Sequence, residues 1–127
     1  MNVKEFGTIL FVERYDQCVT FYRDILKLEV RNVKDSLVTF NISSGYLMVE
    51  KGGFGSANEK NRQQNPVVLR FDVDSLEESI QDLEDRGVIF SNRYLEFDWG
   101  KIAVFLDPDG NRIELGEINK TSGSHKE

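Results

Sequence analysis

Two carboxylates occupy corresponding places in the two halves of this chain. Glu50 and Glu114 each lie in an apolar, strand-like run, at nearly matching distances after Val12 and Val73. An internal duplication of this kind fixes the architecture of a chain, because each copy folds as one unit. The spacing therefore predicts that each carboxylate lies on the closing strand of its own copy, with a ligand site between the two copies.

The other side chains that metal or nucleophilic chemistry would need are scarce. Zinc, nickel and iron sites are normally built with imidazole or thiolate, and two carboxylates alone hold no first-row metal well. The one histidine, His125, lies in a polar tail that we expect to be disordered. The one cysteine, Cys18, falls at a core-facing helical position, where packing explains it, and without a nearby histidine it is a poor nucleophile. A catalytic triad is out of reach.

The elements that must position these groups read as β-α-β-β-β in each half. In the first half, hydrophobic periodicity predicts a helix capped by Asp16, and in the second it predicts a helix that begins with the capping box Ser75–Glu78 and ends at Gly87. The turn at Asp107-Pro108-Asp109-Gly110 is strongly indicated. The first-half elements are strands at 7–13, 28–33, 36–42 and a strand ending at 50, with the helix at 16–26. The second-half strands are 67–73, 88–95, 101–106 and 111–117.

The bulk properties indicate one soluble α+β domain over residues 1–127. We divide it into module 1 (about 6–51), a linker (52–65), module 2 (about 66–117) and a polar tail (118–127). The single cysteine cannot form an internal disulfide, which favours a cytoplasmic location. No apolar run is long enough to span a membrane, and a net charge of −6 argues against nucleic acid as a partner. An acidic surface is weakly compatible with a cationic ligand.

The linker begins with Gly52-Gly53-Phe54-Gly55. This sequence lacks the Lys-Ser/Thr pair and the following helix that a phosphate-binding loop requires. We therefore interpret it as a flexible lid or linker.

Several motifs of the chain, in order and spacing, resemble the vicinal oxygen chelate superfamily, which includes glyoxalase I, extradiol dioxygenases and bleomycin-resistance proteins. The first is Phe21-Tyr22-Arg23-Asp24-Ile25-Leu26 after Val12; the others are Trp99-Gly100, the 107–111 turn and Ile113-Glu114-Leu115. The resemblance covers about residues 6 to 117. It implies paired βαβββ modules that form a curved mixed sheet around a central pocket, very often in a homodimer.

The resemblance also locates the metal-ligand positions of metal-using members. Both positions that usually carry histidine are different here, being Gly7 and Val68. The acidic positions correspond to Glu114 and, with a strand register that could shift by a residue or two, to Glu50. We therefore predict no resident metal and no cofactor, and we assign no catalytic residue.

If position 68 faces the pocket, strand alternation places Arg70 there as well, near Glu114 and Glu50, with Leu69 and Phe71 on the opposite side. An arginine could substitute a fixed positive charge for the metal and bind a carboxylate or phosphate with its planar fork. The alternative is that Arg70 and the two glutamates only neutralise one another. The remaining ligand-binding candidates are apolar or aromatic, although each could instead be core: Ile9, Phe11, Trp99 and Phe105, with Tyr94 and Phe97 beside them.

These observations favour a metal-free, cytoplasmic, dimeric protein, not an enzyme, that binds a small organic molecule in the manner of bleomycin-resistance proteins. One alternative is a metal-dependent lyase or dioxygenase that uses Glu50 and Glu114. The other is a structural or regulatory dimer domain without a cavity.

Overall fold

The duplicated unit is present as two four-stranded mixed sheets, which we describe from a computed structural model covering residues 1–120. In both sheets the first and last strands of the module pair in parallel, and the other neighbours are antiparallel. The first sheet has the order β1-β4-β3-β2 and the second β5-β8-β7-β6. The strands are β1 (Gly7–Val12), β2 (Glu29–Val33), β3 (Leu37–Ile42), β4 (Gly45–Lys51), β5 (Leu69–Asp72), β6 (Asn92–Phe97), β7 (Gly100–Leu106) and β8 (Arg112–Ile118).

The first helical segment is shorter and less regular than the periodicity predicts. Helix α1 spans Tyr15–Thr20 and continues as a π-helical turn over Phe21–Ile25. Asp16 does not cap it, since the N-cap residue is Arg14 and its side chain makes no capping hydrogen bond. The backbone N–H groups of Glu13 and Arg14 instead donate to the carboxylate of Asp109 in the second module, at 2.6 and 3.0 Å. A capping group from a distant part of the chain replaces the local one.

The second helix begins and ends as its sequence predicts. Helix α2 spans Leu76–Asp85, and the Ser75 hydroxyl accepts a hydrogen bond from the backbone N–H of Glu78 at 3.2 Å. Gly87 has φ of +95°, and the N–H of Val88 donates to the carbonyl of Leu83, which closes the helix in a Schellman arrangement. The alternation predicted a strand that begins at residue 88, but residues 88–91 are not in a strand. Strand β6 begins only at Asn92.

One hydrophobic core joins the two modules. The ring of Phe21 lies 6.1 Å from that of Phe105, and the Tyr22 hydroxyl donates to Asp107 at 2.6 Å. The helical segment of module 1 thus packs against the sheet of module 2. Cys18 is fully buried in this core, as predicted. None of the helices within residues 1–120 is both long and apolar enough to cross a membrane.

The linker is held in place along the turn between β7 and β8. The backbone N–H of Ser56 donates to the carbonyl of Asp109, and that of Lys60 donates to Gly110. The Lys60 ammonium is buried and donates to the side chain of Asn111 at 2.9 Å. These bonds correct the expectation of a flexible lid or linker, because backbone N–H groups and the Lys60 side chain attach the segment to module 2. His125 lies outside the described residues.

Candidate functional site

The parallel pairing of β5 with β8 places Arg70 directly opposite Glu114. The Arg70 Nε donates to Glu114 Oε1 at 3.0 Å, which confirms the predicted contact between these two residues. Leu69 and Phe71 point to the other side and pack against the core. Strand alternation therefore gives the correct face for Arg70. Its side chain keeps 35% of its surface exposed, while that of Glu114 keeps 14%.

Three neighbours restrict the position of the Arg70 guanidinium. Its central carbon lies 5.0 Å from the centre of the Trp99 ring, within the range of a cation–π contact. Beneath it is Gly116, where an added Cβ would lie 3.0 Å from Arg70 Nη1 and would also collide with the Asp72 carboxylate. Asp72 itself contacts Nη1 at a longer 3.4 Å.

Glu114 is shared between two arginines. Its Oε2 accepts a hydrogen bond from Arg112 Nε at 2.9 Å, while Oε1 is bound to Arg70. Burial of the carboxylate opposes its ionisation, but the hydrogen bonds from Arg112 and Arg70 outweigh that effect and hold the pKa of Glu114 below its ordinary value. Both oxygens of this carboxylate are therefore occupied by cationic donors.

A cavity of about 720 Å³ lies beside Arg70, between the beginning of β1, the β3–β4 turn and β5. Both Val68 and Arg70 line it, together with Tyr46 from the first module. Most of the other lining side chains are apolar, and the polar ones include Lys4, Ser43 and Ser44. An apolar cleft with a few polar groups is typical of a small-molecule site.

Glu50 does not join this group. In the first sheet, Ile9 pairs with Met48 and Phe11 with Glu50, whereas in the second Arg70 pairs with Glu114. Ile9 precedes Val12 by the same distance as Arg70 precedes Val73, so Ile9 is the counterpart of Arg70 in the first module. The residue paired with Ile9, Met48, is therefore the structural counterpart of Glu114. The two carboxylates are offset by two residues. Within residues 1–120, no hydrogen bond or ion pair connects Glu50 with Arg70.

The apolar candidates divide between the two faces of their sheets. Ile9 and Phe11 lie on the open face of the first sheet, about half exposed. Trp99 supports Arg70 and stacks in parallel on Phe97, with ring centres 5.3 Å apart. Phe105 is a correction: it is fully buried on the helix-facing side, 5.2 Å from the ring of Phe90. Pairing with Ile113 rather than Glu114 puts it there.

The ring of Tyr46 fills the space that a side chain at position 7 would need. A Cβ added to Gly7 would overlap the far end of this ring. On its other side the ring is covered by the Arg31 guanidinium, at 5.1 Å, and Arg31 is itself bound to both oxygens of Glu5. Gly7 is therefore part of a packed aromatic arrangement and not an open position.

A second group of buried polar side chains, which the sequence indicated only as a turn, connects the modules. Asp107 accepts hydrogen bonds from the Tyr22 hydroxyl, the Asn111 amide and two backbone N–H groups. Burial raises the pKa of Asp107 despite these bonds, and it also raises the pKa values of Tyr22 and Cys18, with a further contribution from Asp107. Every acceptor here already has donors, so the arrangement serves packing and not ligand binding.

The described part of the chain has no cluster of side chains suited to bind a metal ion. Within residues 1–120, no three histidine, cysteine, aspartate or glutamate side chains come together as possible metal ligands.

Two four-stranded βαβββ sheets with a cavity beside them define this chain as a glyoxalase-type α+β protein. The sequence over residues 6–119 matches the Glyoxalase-like domain, and the chain belongs to that family. A curated relative, the uncharacterized protein YraH of Bacillus subtilis (strain 168), is 26% identical over 117 residues, covering 84% of this chain and 91% of YraH.

Solved structures show the same fold at low identity. The lactoylglutathione lyase from Agrobacterium tumefaciens superposes with a TM-score of 0.72 at 19% identity, over 92% of this chain and 95% of its own. TnmS3, an antibiotic binding protein from Streptomyces sp. CB03234, superposes with a TM-score of 0.71 at 18% identity, over 94% and 97% of the two chains. These likenesses establish the fold and leave the ligand open.

Proposed function

We propose that this protein binds a small organic molecule in the cavity beside Arg70, without a resident metal and without transforming the molecule. The observation that carries the proposal is the coordination of Glu114. The acidic position that the family resemblance assigns to a metal has both oxygens bound to guanidinium groups, at 3.0 and 2.9 Å. The fixed charge of Arg70 stands where a metal ion would otherwise supply it.

The residues around this position do not fit a metal ion. A cation at Glu114 would have to displace or approach two arginines, and their positive charge repels it. The first-module position, Gly7, supplies no ligand, and the ring of Tyr46 blocks a replacement. Val68 supplies none either. This donor set also disfavours the alternative of a metal-dependent lyase or dioxygenase that uses Glu50 and Glu114, because the two carboxylates are not structural counterparts.

The open cavity supports the proposal of ligand binding over a purely structural or regulatory role. A volume of about 720 Å³ is within the range of small-molecule sites, and Arg70 gives it a specific polar anchor. A domain that served only to dimerise would be expected to fill this space. The name of TnmS3, an antibiotic binding protein, agrees with a binding function in a chain of the same fold.

We also propose a homodimer in the cytoplasm. Ile9 and Phe11 leave about half of their surface exposed on the open face of the first sheet, and Phe97 does the same in the second. A second copy would cover this apolar surface. Light scattering should give the mass of two chains, and the 14.6 kDa mass of one chain at micromolar concentration would contradict the dimer. The single buried cysteine supports the location.

The test of the proposed function is a thermal-shift screen of the purified protein against metabolites, metal salts and cationic antibiotics. Each compound is tested with and without a chelator. We expect at least one organic compound to raise the melting temperature equally in both conditions, and we expect Arg70→Gln to abolish that increase. The matched control is Arg93→Gln, since Arg93 is an exposed arginine of module 2 that pairs with Glu84 away from the cavity. Stabilisation only by a metal salt would contradict the proposal.

A further inference from the structure

We infer that the molecule bound beside Arg70 is an organic anion, carrying a carboxylate or a phosphate on an apolar body. This inference rests on the proposed binding function and names the chemistry of its ligand. It runs against the overall charge of the chain, which is −6 and by itself suggests a cationic ligand.

The net charge of the residues that line the cavity is positive, opposite in sign to that of the protein as a whole. Its charged lining residues are Lys4, Glu5 and Arg70. Glu5 is not free to attract a cation, because Arg31 binds both of its oxygens, at 3.2 and 2.6 Å. Within residues 1–120, Lys4 has no ion-pair partner. A ligand in this cavity therefore meets one ammonium and one guanidinium, and no unpaired carboxylate from the lining.

Arg70 is positioned in advance for an anion. Glu114 fixes its Nε at 3.0 Å, and the centre of the Trp99 ring lies 5.0 Å from its central carbon, so little side-chain freedom remains to be lost on binding. Among the described residues, its Nη2 has no hydrogen-bond partner. The contact of Nη1 with Asp72 is long, at 3.4 Å, and the Asp72 side chain is about half exposed. A ligand carboxylate could take the place of Asp72 and bind both terminal nitrogens.

The rest of the cavity supplies the apolar contact. Its walls include Phe6, Ile42 and Val67. Phe6 and Val67 are more than half exposed, so covering them with a ligand would remove apolar surface from water. An inorganic anion would use Arg70 and Lys4 but would leave these walls wet. The combination favours an anion attached to a hydrocarbon or aromatic body.

The experiment compares four probes that share one body. The probes are 2-naphthoate, 2-naphthyl phosphate, 2-naphthamide and 2-naphthylmethylammonium, and their affinities are measured by ligand-observed NMR. The chain has one tryptophan, so a shift of its single indole N–H resonance in ¹H–¹⁵N NMR spectra identifies binding next to Arg70. We expect one or both anions to bind at least about tenfold more tightly than the amide and the ammonium, because a charge-assisted pair contributes that much.

Variants then assign the preference to Arg70. Arg70→Gln should remove the advantage of the anions over the amide, Lys4→Gln should reduce it, and Arg93→Gln should leave it unchanged. If circular dichroism shows that Arg70→Gln is unfolded, the ranking of the four probes on the unaltered protein still decides the matter. Binding of the amide or the ammonium as tightly as the anions would overturn the inference but leave the proposed function standing. If none of the four binds while the wider screen finds a ligand, the inference fails alone; if neither finds one, both fail.

Discussion

Tyr46 lies on Gly7, and its ring excludes any larger residue at position 7. The aromatic ring occupies the volume into which any side chain at position 7 would project, and Arg31 covers the ring from the other side. At the position that the resemblance assigns to a histidine ligand, the Tyr46 ring therefore leaves room for glycine alone. The loss of the ligand and the presence of the aromatic ring belong to one arrangement.

This relationship predicts that Gly7→Ala destabilises the protein. The new methyl group would push the Tyr46 ring against the Arg31 guanidinium, at a cost of about 1–3 kcal/mol in the free energy of unfolding, as for other overpacked positions. In Tyr46→Ala the space is open, so adding Gly7→Ala to that variant should cost much less. Urea denaturation of the two single variants and the double variant measures the coupling. If the losses of the two single variants added up to the loss of the double variant, the Tyr46 ring would not be what excludes a side chain at position 7.

The pair formed by Arg70 and Glu114 gives a second prediction. Glu114→Ala should lower the free energy of unfolding by about 1–2 kcal/mol, because it leaves Arg70 and Arg112 adjacent with no carboxylate between them. The double variant Arg70→Leu, Glu114→Leu should be destabilised less than Glu114→Ala, because it leaves only Arg112, which retains Glu59 at 3.4 Å. Since Arg70 is partly exposed, solvent screening keeps both effects modest. A double variant less stable than the single one would contradict this account.

Stability should depend on the ionisation of Glu114 at acidic pH. The folded protein holds the pKa of this carboxyl below its ordinary value, so its contribution is fully present above the pKa of the unfolded chain and is lost as the pH falls through the lower, folded pKa. The difference in free energy of unfolding between the unaltered protein and Glu114→Gln should therefore shrink across that acidic range. Denaturation curves at a series of pH values measure it. A difference that stays constant would show that the arginines do not stabilise the ionised form.

The junction of the modules supplies a fourth prediction. Tyr22→Phe removes the hydroxyl that donates to Asp107 at 2.6 Å and leaves a buried carboxylate with one donor fewer. We expect a loss of about 1–3 kcal/mol in the free energy of unfolding, with little loss of packing because the ring remains. Tyr94→Phe, at an exposed tyrosine, is the matched control and should change stability by less than about 0.5 kcal/mol. Equal effects in the two variants would mean that the bond to Asp107 is not important.

The sequence predicted those features that depend on local pattern. The two βαβββ units, the capped start of α2 and the glycine that ends it follow from periodicity and from turn and cap residues. The contact of Arg70 with Glu114 followed from alternation in β5 together with the family resemblance. The helix and strand features require only that neighbouring residues alternate or recur on one face. The contact of Arg70 with Glu114 joins two distant strands, and only the resemblance placed those strands side by side.

The predictions that were wrong concern contacts between segments that are distant in the sequence. Counting residues places Glu50 near the counterpart of Glu114, but the pairing of the parallel strands puts it two residues beyond that counterpart. The loops differ in length, so counting along them cannot give the strand register. Asp16 was predicted to cap the first helix, but the carboxylate at its start is that of Asp109, which lies in the other module. Phe105 was assigned to the cavity by its aromatic character, although its place opposite Ile113 turns it towards the core.

We propose that Arg70, and not a metal ion, supplies the positive charge at Glu114. The most direct test is elemental analysis of the purified protein, after dialysis without a chelator. We predict far less than one equivalent of zinc, nickel, manganese or iron per chain, because both oxygens of Glu114 are bound to arginine and Gly7 has no side chain to offer. About one equivalent of any of these metals per chain, retained after dialysis, would contradict it.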